Sequence, residues 1–152
     1  IIPVENVNRE TWSGEIREAL FVNRETLKDA DREIEMKIKN FRNLDIWKLG
    51  METVIDIYKI TSKFPKEETY GLTGQMRRAV ISIPSNIAEG FNRYHNKEYR
   101  QYLYIALGSC GELETQIEAS FLLQYIDQTI KDEVLEKIDH ESRMLRYLIK
   151  LL

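Results

Sequence analysis

Four segments of the chain place apolar residues three or four positions apart, which is the spacing of one face of an α-helix. The connections between them are short, and the 152 residues include three prolines and seven glycines, too few for long loops. No segment shows the strict alternation of a half-buried β-strand. The pattern therefore predicts an all-α protein, an up-down-up-down four-helix bundle with a short helical N-terminal extension.

The first two predicted helices lie on either side of the turn "KFPKEE". The first runs from Leu44 to Phe64, because Pro65 disfavours helix at the residue before it. The second begins within residues 70–73, and Gly90 is its expected C-cap. The predicted buried stripes are Trp47, Met51, Val54, Ile55 and Tyr58 in the first helix, and Met76, Ala79, Val80, Ile83 and Ile87 in the second.

The third helix is predicted to follow "NRYHN", with Asn96 as its N-cap, and the fourth to run from Ile130 to Leu152. Gly108 and Gly111 stand inside the third helix, where each glycine costs about 1 kcal/mol relative to alanine. We therefore expect close packing at "ALGSCG", either within the bundle or between subunits. The predicted stripes are Tyr99, Leu103, Ala106, Cys110, Leu113, Ile117 and Phe121, and Ile130, Val134, Ile138, Leu145, Leu148, Ile149 and Leu152.

The stretch "SIPSNIAEG" at 82–90 places Pro84 inside the second helix. Proline removes one backbone hydrogen bond and crowds the preceding turn, so we expect a kink. A nucleophilic role for Ser82 or Ser85 would require a nearby base and an oxyanion site, and no recognisable catalytic motif provides them. We interpret the stretch as a packing element in which Asn86 and Glu89 tie helices together or line a subunit contact.

Residues 1–35 differ from the rest in charge. They hold five basic and nine acidic residues, a formal charge of −4, whereas residues 36–152 carry +1. The tetrapeptide "NRET" occurs at 8–11 and at 23–26, and each asparagine is a suitable N-cap for a short helix. We predict an acidic, helical extension over 1–35 and a bundle over 36–152, whose first residue is Met36.

A local excess of positive charge lies between residues 70 and 104, where five bases face two acids. Aromatic residues alternate with these bases, and such a composition suits RNA because guanidinium groups bind phosphates and aromatic rings stack on unpaired bases. The alternative is an ordinary solvated face, with Arg78 paired to a glutamate such as Glu114. The candidate nucleic-acid-binding residues are Arg77, Arg78, Arg93, Lys97 and Arg100, and the aromatic residues are Phe91, Tyr94, Tyr99, Tyr102 and Tyr104.

Other chemistry has little support in the sequence. The acids Glu112, Glu114 and Glu118 lack the Glu-x-x-His spacing of di-metal bundles, and His95 and His140 have no ligand spacing, so we predict no metal and no cofactor. Cys110, the single cysteine, is expected to be a buried thiol. No apolar run is long enough for a membrane span and no signal peptide is recognisable, so a cytoplasmic, non-enzymatic protein is predicted.

Three stretches of the sequence resemble a known family. They are "LDIWKLG" at 44–50, "FPKEETYGLTGQMRRAVISIPSNIAEGFNR" at 64–93 and "YRQYLYIALGSCGELETQIEAS" at 99–120. These stretches are similar to the four-helix bundle proteins encoded in bacterial 23S rRNA intervening sequences. The resemblance covers about residues 36–152 and leaves 1–35 outside the family pattern.

The resemblance implies a four-helix bundle that assembles into a homopentamer. A related branch, the accessory variability protein of diversity-generating retroelements, binds nucleic acid and a reverse transcriptase, whereas the function of the intervening-sequence branch is not settled. Two hypotheses follow for this chain. The first is an oligomer that binds RNA or DNA; the second is a scaffold that binds a protein partner without nucleic acid.

Overall fold

The computed structural model describes residues 40–93 and 95–152, so the predicted extension at 1–35 and its two expected helices lie outside the described residues. Within them are four α-helices, two short 3-10 turns at Phe41–Asn43 and Lys66–Thr69, and no β-strand. The all-α class is therefore confirmed. The helices are α1 (Asp45–Thr61), α2 (Leu72–Phe91), α3 (Asn96–Leu122) and α4 (Gln128–Leu151).

Neighbouring helices of the bundle are antiparallel, as their contacts show. In α2 and α3, Ser120 contacts Met76, Ser109 contacts Ser82, and Tyr102 contacts Glu89, so rising numbers meet falling ones. The other three neighbouring pairs have two contacts each in the same antiparallel sense. These are Arg77–Thr61 with Pro84–Gly50 (α2–α1), Lys131–Glu118 with Ser142–Cys110 (α4–α3), and Lys137–Asp56 with Glu141–Thr53 (α4–α1). This order gives the up-down-up-down bundle.

The core of the bundle contains the stripes predicted for α2, α3 and α4. Met76, Ala79, Val80, Ile83 and Ile87 are buried in α2, and α4 buries Val134, Ile138, Leu145 and Ile149. From α3 come Leu103, Ala106, Cys110, Leu113 and Ile117. Removing these side chains from water is the main stabilising contribution to such a fold.

The stripe predicted for α1 is wrong by about one position. Met51, Ile55 and Tyr58 are exposed, and the buried residues of α1 are Ile46, Gly50, Thr53, Ile57 and Thr61. The other two predicted residues, Trp47 and Val54, are half-buried and pack against the core, so the predicted stripe lies along one edge of the buried face. The reason lies in α4 and α2, since a Cβ at position 50 would lie 2.7 Å from Glu141 Oε1 and 3.4 Å from Pro84 Cβ. Only small residues fit on the α1 face at this level.

Three predicted helix ends are also corrected. α1 ends at Thr61, earlier than Phe64, and the Thr61 hydroxyl donates to the Ile57 carbonyl at 2.7 Å. Gly90 is inside α2 and does not cap it, because the helix continues to Phe91. Asn96 is the first residue of α3, and His95 takes the N-cap position.

The glycines of α3 do not pack inside this chain. A Cβ at Gly108 or Gly111 would meet no atom within 4 Å among the described residues. Close packing within the bundle is therefore wrong for these two glycines, although Ala106, Ser109 and Cys110 of the same stretch are buried, and packing between subunits stays a prediction. Pro84 is buried, and α2 continues through it to Phe91.

Candidate nucleic-acid interface

The predicted basic residues fall into two groups at opposite ends of α2. Arg77 and Arg78 lie in its first half, whereas Arg93, Lys97 and Arg100 surround the connection to α3. At 1.5 Å per residue, Arg78 and Arg93 are separated by roughly 20 Å along the helix direction. The fold therefore does not bring the five residues together in one patch.

The first group is largely engaged within the bundle. The Arg77 Nε donates to Thr61 Oγ1 at 2.9 Å, and its guanidinium lies 4.6 Å from the centre of the Tyr58 ring. Arg77 is half-buried by these contacts, which connect α2 to α1. Arg78 is exposed and donates to Gln75 Oε1 at 2.5 Å, so the predicted pair with Glu114 is not formed.

Arg93 is neutralised by an acid of the same helix turn. Its Nη2 donates to Glu89 Oε1 at 2.6 Å and to the Tyr102 hydroxyl at 2.8 Å, and that hydroxyl donates to the same Glu89 oxygen at 2.9 Å. The hydrogen bond from Arg93 is the main cause that lowers the pKa of Glu89. Glu89 thus ties α2 to α3, as expected, and offsets the charge that Arg93 would offer a phosphate.

Lys97 and Arg100 remain available at the start of α3. Both are exposed, and neither forms an ion pair with a residue that the structure describes. Tyr104 follows one turn after Arg100, and 97, 100 and 104 have the i, i+3, i+7 spacing of a single helix face. The Tyr104 side chain is 56% exposed.

α4 adds two further cations to the same side of the bundle. Lys131 binds Glu118 at 2.8 Å, which fixes how α4 lies against α3. Arg100 precedes Glu118 by five helical turns and Lys150 follows Lys131 by slightly more than five, so antiparallel packing places Arg100 and Lys150 at the same level. Arg146 lies one turn before Lys150.

Arg146 and Lys150 are exposed, and neither is ion-paired within residues 40–93 and 95–152. The positive charge of Arg146 reaches Cys110 of α3, where it slightly offsets the rise in the thiol pKa to about 12 that burial causes. We call Lys97, Arg100, Tyr104, Arg146 and Lys150 the cationic face. Sequence reasoning missed its α4 members because they lie far from α3 along the chain.

The other predicted aromatic residues serve the fold. The rings of Phe91 and Tyr99 meet edge-to-face with centres 6.2 Å apart, and burial raises the pKa of Tyr99 to about 12. Tyr102 belongs to the Glu89–Arg93 network. Tyr94 lies outside the described residues.

A different titratable group lies in the core, and the sequence-based prediction of the α4 stripe passed over it. Glu141 of α4 is 0% exposed; its Oε2 accepts from Thr53 Oγ1 at 3.4 Å, and its Oε1 has no partner among the described residues. Burial raises the pKa of Glu141 to about 8, while the Thr53 hydrogen bond and the charge of Lys137 oppose the rise. Its place at position 141, in register with Val134, Ile138 and Leu145, points it inward.

The residues considered for catalysis or metal binding have structural surroundings. Ser82 Oγ accepts from Ser109 Oγ at 2.9 Å, which joins α2 to α3. It also accepts from Asn86 Nδ2 of its own helix at 3.0 Å. No cluster of three or more His, Cys, Asp or Glu side chains in the described ranges is placed to hold a metal ion. No described helix is long and apolar enough to cross a membrane.

Comparisons with known proteins agree with this architecture. The sequence pattern of the 23S rRNA-intervening sequence protein family matches residues 42–147. A crystal structure of a protein of unknown function from the S23 ribosomal protein family of Bacteroides thetaiotaomicron superposes with a TM-score of 0.65 at 21% identity, covering 69% of this chain and 98% of that chain. No functionally curated protein matches the chain. The chain belongs to the 23S rRNA-intervening sequence protein family.

Proposed function

We propose that this protein is a non-catalytic four-helix bundle that binds nucleic acid, RNA in particular, through its cationic face, and that it acts as a homo-oligomer. The observation that carries the proposal is that the register of α3 and α4 brings four exposed cations to the level of one exposed tyrosine, and that none of the four has an acidic partner within residues 40–93 and 95–152. The formal charge of the whole chain is −3, so attraction of a polyanion depends on such a local surface.

The sequence-based candidates rank differently once their contacts are considered. Lys97 and Arg100 have no ion-pair partner among the described residues to lose on binding a phosphate, whereas Arg93 would first have to leave Glu89 at 2.6 Å. Arg77 would have to leave Thr61 and the Tyr58 ring. Binding at the α3–α4 side releases counterions without breaking a contact of the bundle.

An exposed apolar groove between α1 and α2 supports self-association. It is lined by Val54, Ile55, Tyr58 and Ile81, of which Ile55 and Ile81 are 51% and 42% exposed. The resemblance implies five copies, and a ring of five cationic faces would bind one polyanion far more tightly than a single face because the later contacts become intramolecular.

Binding to RNA at near-physiological salt tests the first part. We expect the full chain with Lys97→Glu, Arg100→Glu, Arg146→Glu and Lys150→Glu to bind at least about tenfold more weakly, with a smaller salt dependence. The matched control reverses Lys63 and Arg78, two exposed cations at the other end of the bundle that form no ion pair with a described residue. Equal loss in the control would overturn the assignment to the cationic face, and no binding by the unmodified protein would overturn the function.

The mass in solution tests the second part. Light scattering is expected to give a multiple of the 18.0 kDa chain, and Ile55→Glu with Ile81→Glu is expected to reduce it. Leu122→Glu is the matched control, since Leu122 is 76% exposed but is the last residue of α3 and does not line the groove. A monomer would contradict self-association.

A scaffold that binds another protein is the second candidate function, favoured by the same groove. An apolar groove that self-association leaves open is available to a protein partner. A monomer that purifies without nucleic acid and captures a stoichiometric protein through Ile55 and Ile81 would support this candidate and contradict the first.

A further inference from the structure

Tyr104 lies among the cations of the cationic face and contributes no described contact to the bundle. Its side chain is 56% exposed, and it makes no ring contact or hydrogen bond with the residues described. Tyr99 and Tyr102 of the same helix, in contrast, pack on Phe91 and bind Glu89. The ring of Tyr104 is therefore free to accept a planar group.

The surroundings of this ring select the kind of planar group. Arg100 lies one turn before Tyr104 on the same face of α3, and the register of α4 places Arg146 beside it. Cations on both sides of an aromatic ring match a nucleotide, whose base stacks on the ring while the neighbouring phosphates meet the charges.

Resting on the proposed function, we infer that the cationic face takes a single-stranded segment of nucleic acid, in which an unpaired base stacks on Tyr104 while Arg100 and Arg146 bind the adjacent phosphates. A duplex covers the faces of its internal base pairs by stacking, so those bases cannot stack on the ring. The bases of an unpaired strand are open to the ring. Any base can stack on it, because every base has a π-face.

The length of the face favours the same strand type. Lys97 and Tyr104 are seven residues apart, about 10 Å along α3. Proteins that recognise RNA duplexes by shape span about 16 base pairs and contact two successive grooves. One cationic face is too short for that mode, but it covers a few nucleotides of a single strand.

The experiment measures binding of the full chain to an RNA of roughly ten nucleotides, to the DNA of the same sequence, and to the corresponding RNA duplex. We expect both single strands to bind more tightly than the duplex. Tyr104→Ala is expected to weaken single-strand binding about fivefold or more without affecting the duplex, and Tyr104→Phe to retain it. Tyr70→Ala is the matched control, because Tyr70 is 97% exposed but lies just before α2, at the end of the bundle away from the cationic face.

The outcomes separate this inference from the proposed function. If the duplex binds as tightly as the single strands, or if Tyr104→Ala binds like Tyr70→Ala, the single-strand inference is overturned while nucleic-acid binding stands. If neither strand type binds, the proposed function itself fails. Loss of binding in Tyr104→Ala together with retention in Tyr104→Phe supports stacking, because the phenylalanine keeps the ring and lacks the hydroxyl.

Discussion

Glycines inside the helices of this bundle occupy two opposite environments. A Cβ at Gly90 of α2 would lie 2.6 Å from the Tyr99 ring and 2.8 Å from the Tyr102 Cβ, so α2 and α3 meet closely there. A Cβ at Gly108 of α3 would face open space in this chain. A glycine in a helical pattern has the same propensity cost in both cases, and only the neighbouring helix decides whether close packing offsets it.

Gly50 of α1, like Gly90, has a close neighbour at the position of a Cβ, but that neighbour is a carboxyl group. The missing side chain leaves room for Glu141 Oε1, which lies 2.7 Å from the ideal Cβ position. A buried hydroxyl can donate to its own helix, as Ser120 of α3 does to the Gln116 carbonyl at 2.7 Å. A carboxylate cannot donate, so burial at Gly50 favours the protonated acid.

The largest effect is expected from pH at this α1–α4 contact. The pKa of Glu141 is about 8 in the folded chain against an ordinary value of 4.5, so the folded state binds a proton that the unfolded chain has lost. The free energy of unfolding therefore falls as pH rises from about 5 to 8, by up to roughly 4 kcal/mol, and becomes flat above. Urea denaturation across this range measures the fall.

Glu141→Gln isolates the contribution of this group. The amide keeps the shape of the side chain and cannot ionise, so the difference in stability between the two proteins should change with pH over that window. The same pH slope in the variant and the unmodified protein would show that Glu141 is ionised in the fold.

The close contact at Gly90 predicts the next largest effect. Gly90→Ala introduces a methyl group against Tyr99 and the Tyr102 Cβ, and the cost of overpacking exceeds the gain in helix propensity, which leaves a net destabilisation of about 2 kcal/mol. The denaturation midpoint of the purified variant checks this value. An increase in stability would contradict the close approach of α2 and α3.

Gly108→Ala is expected to act in the opposite direction. With no atom within 4 Å of the new methyl group, the gain in helix propensity should raise stability by up to about 1 kcal/mol. Scattering on the same sample tests whether copies pack at this position, since a subunit contact made through glycine would be lost. Destabilisation without any change in mass would contradict the open environment.

The smallest effect concerns a position where the backbone favours glycine and the sequence has none. Gln124 follows α3 with φ of 60°, and its N–H donates to the Phe121 carbonyl while that of Tyr125 donates to Ser120, a Schellman motif. Gln124→Gly should stabilise the chain by about 0.5 kcal/mol, because glycine tolerates this conformation. Gln124→Ala, the matched control, keeps the strain and should give no gain.

The sequence predicted three of the four core stripes and misplaced the fourth. In α2, α3 and α4 most of the large aliphatic residues lie on one face, with exceptions such as Ile81 and Ile105, so periodicity alone identifies that face. In α1 the inner face carries Gly50 and Thr53 while Ile55 is outside, and the periodicity followed the larger residues. The candidate site could be predicted only in part for a related reason. The helical spacing of Lys97, Arg100 and Tyr104 places them on one face of α3, but spacing within one helix cannot show that Arg146 of α4 lies beside them.

Within the part of the chain that the structure describes, the amino-acid sequence by itself determined the four helices and the all-α class, because apolar spacing and turn signals act over a few residues. It also identified the family through three stretches of the bundle. The tertiary structure decided which cations stay available, which glycines meet a neighbour and that an acid lies in the core. Each of these depends on which side chain of another helix lies opposite, and antiparallel packing sets that register between residues far apart in the chain.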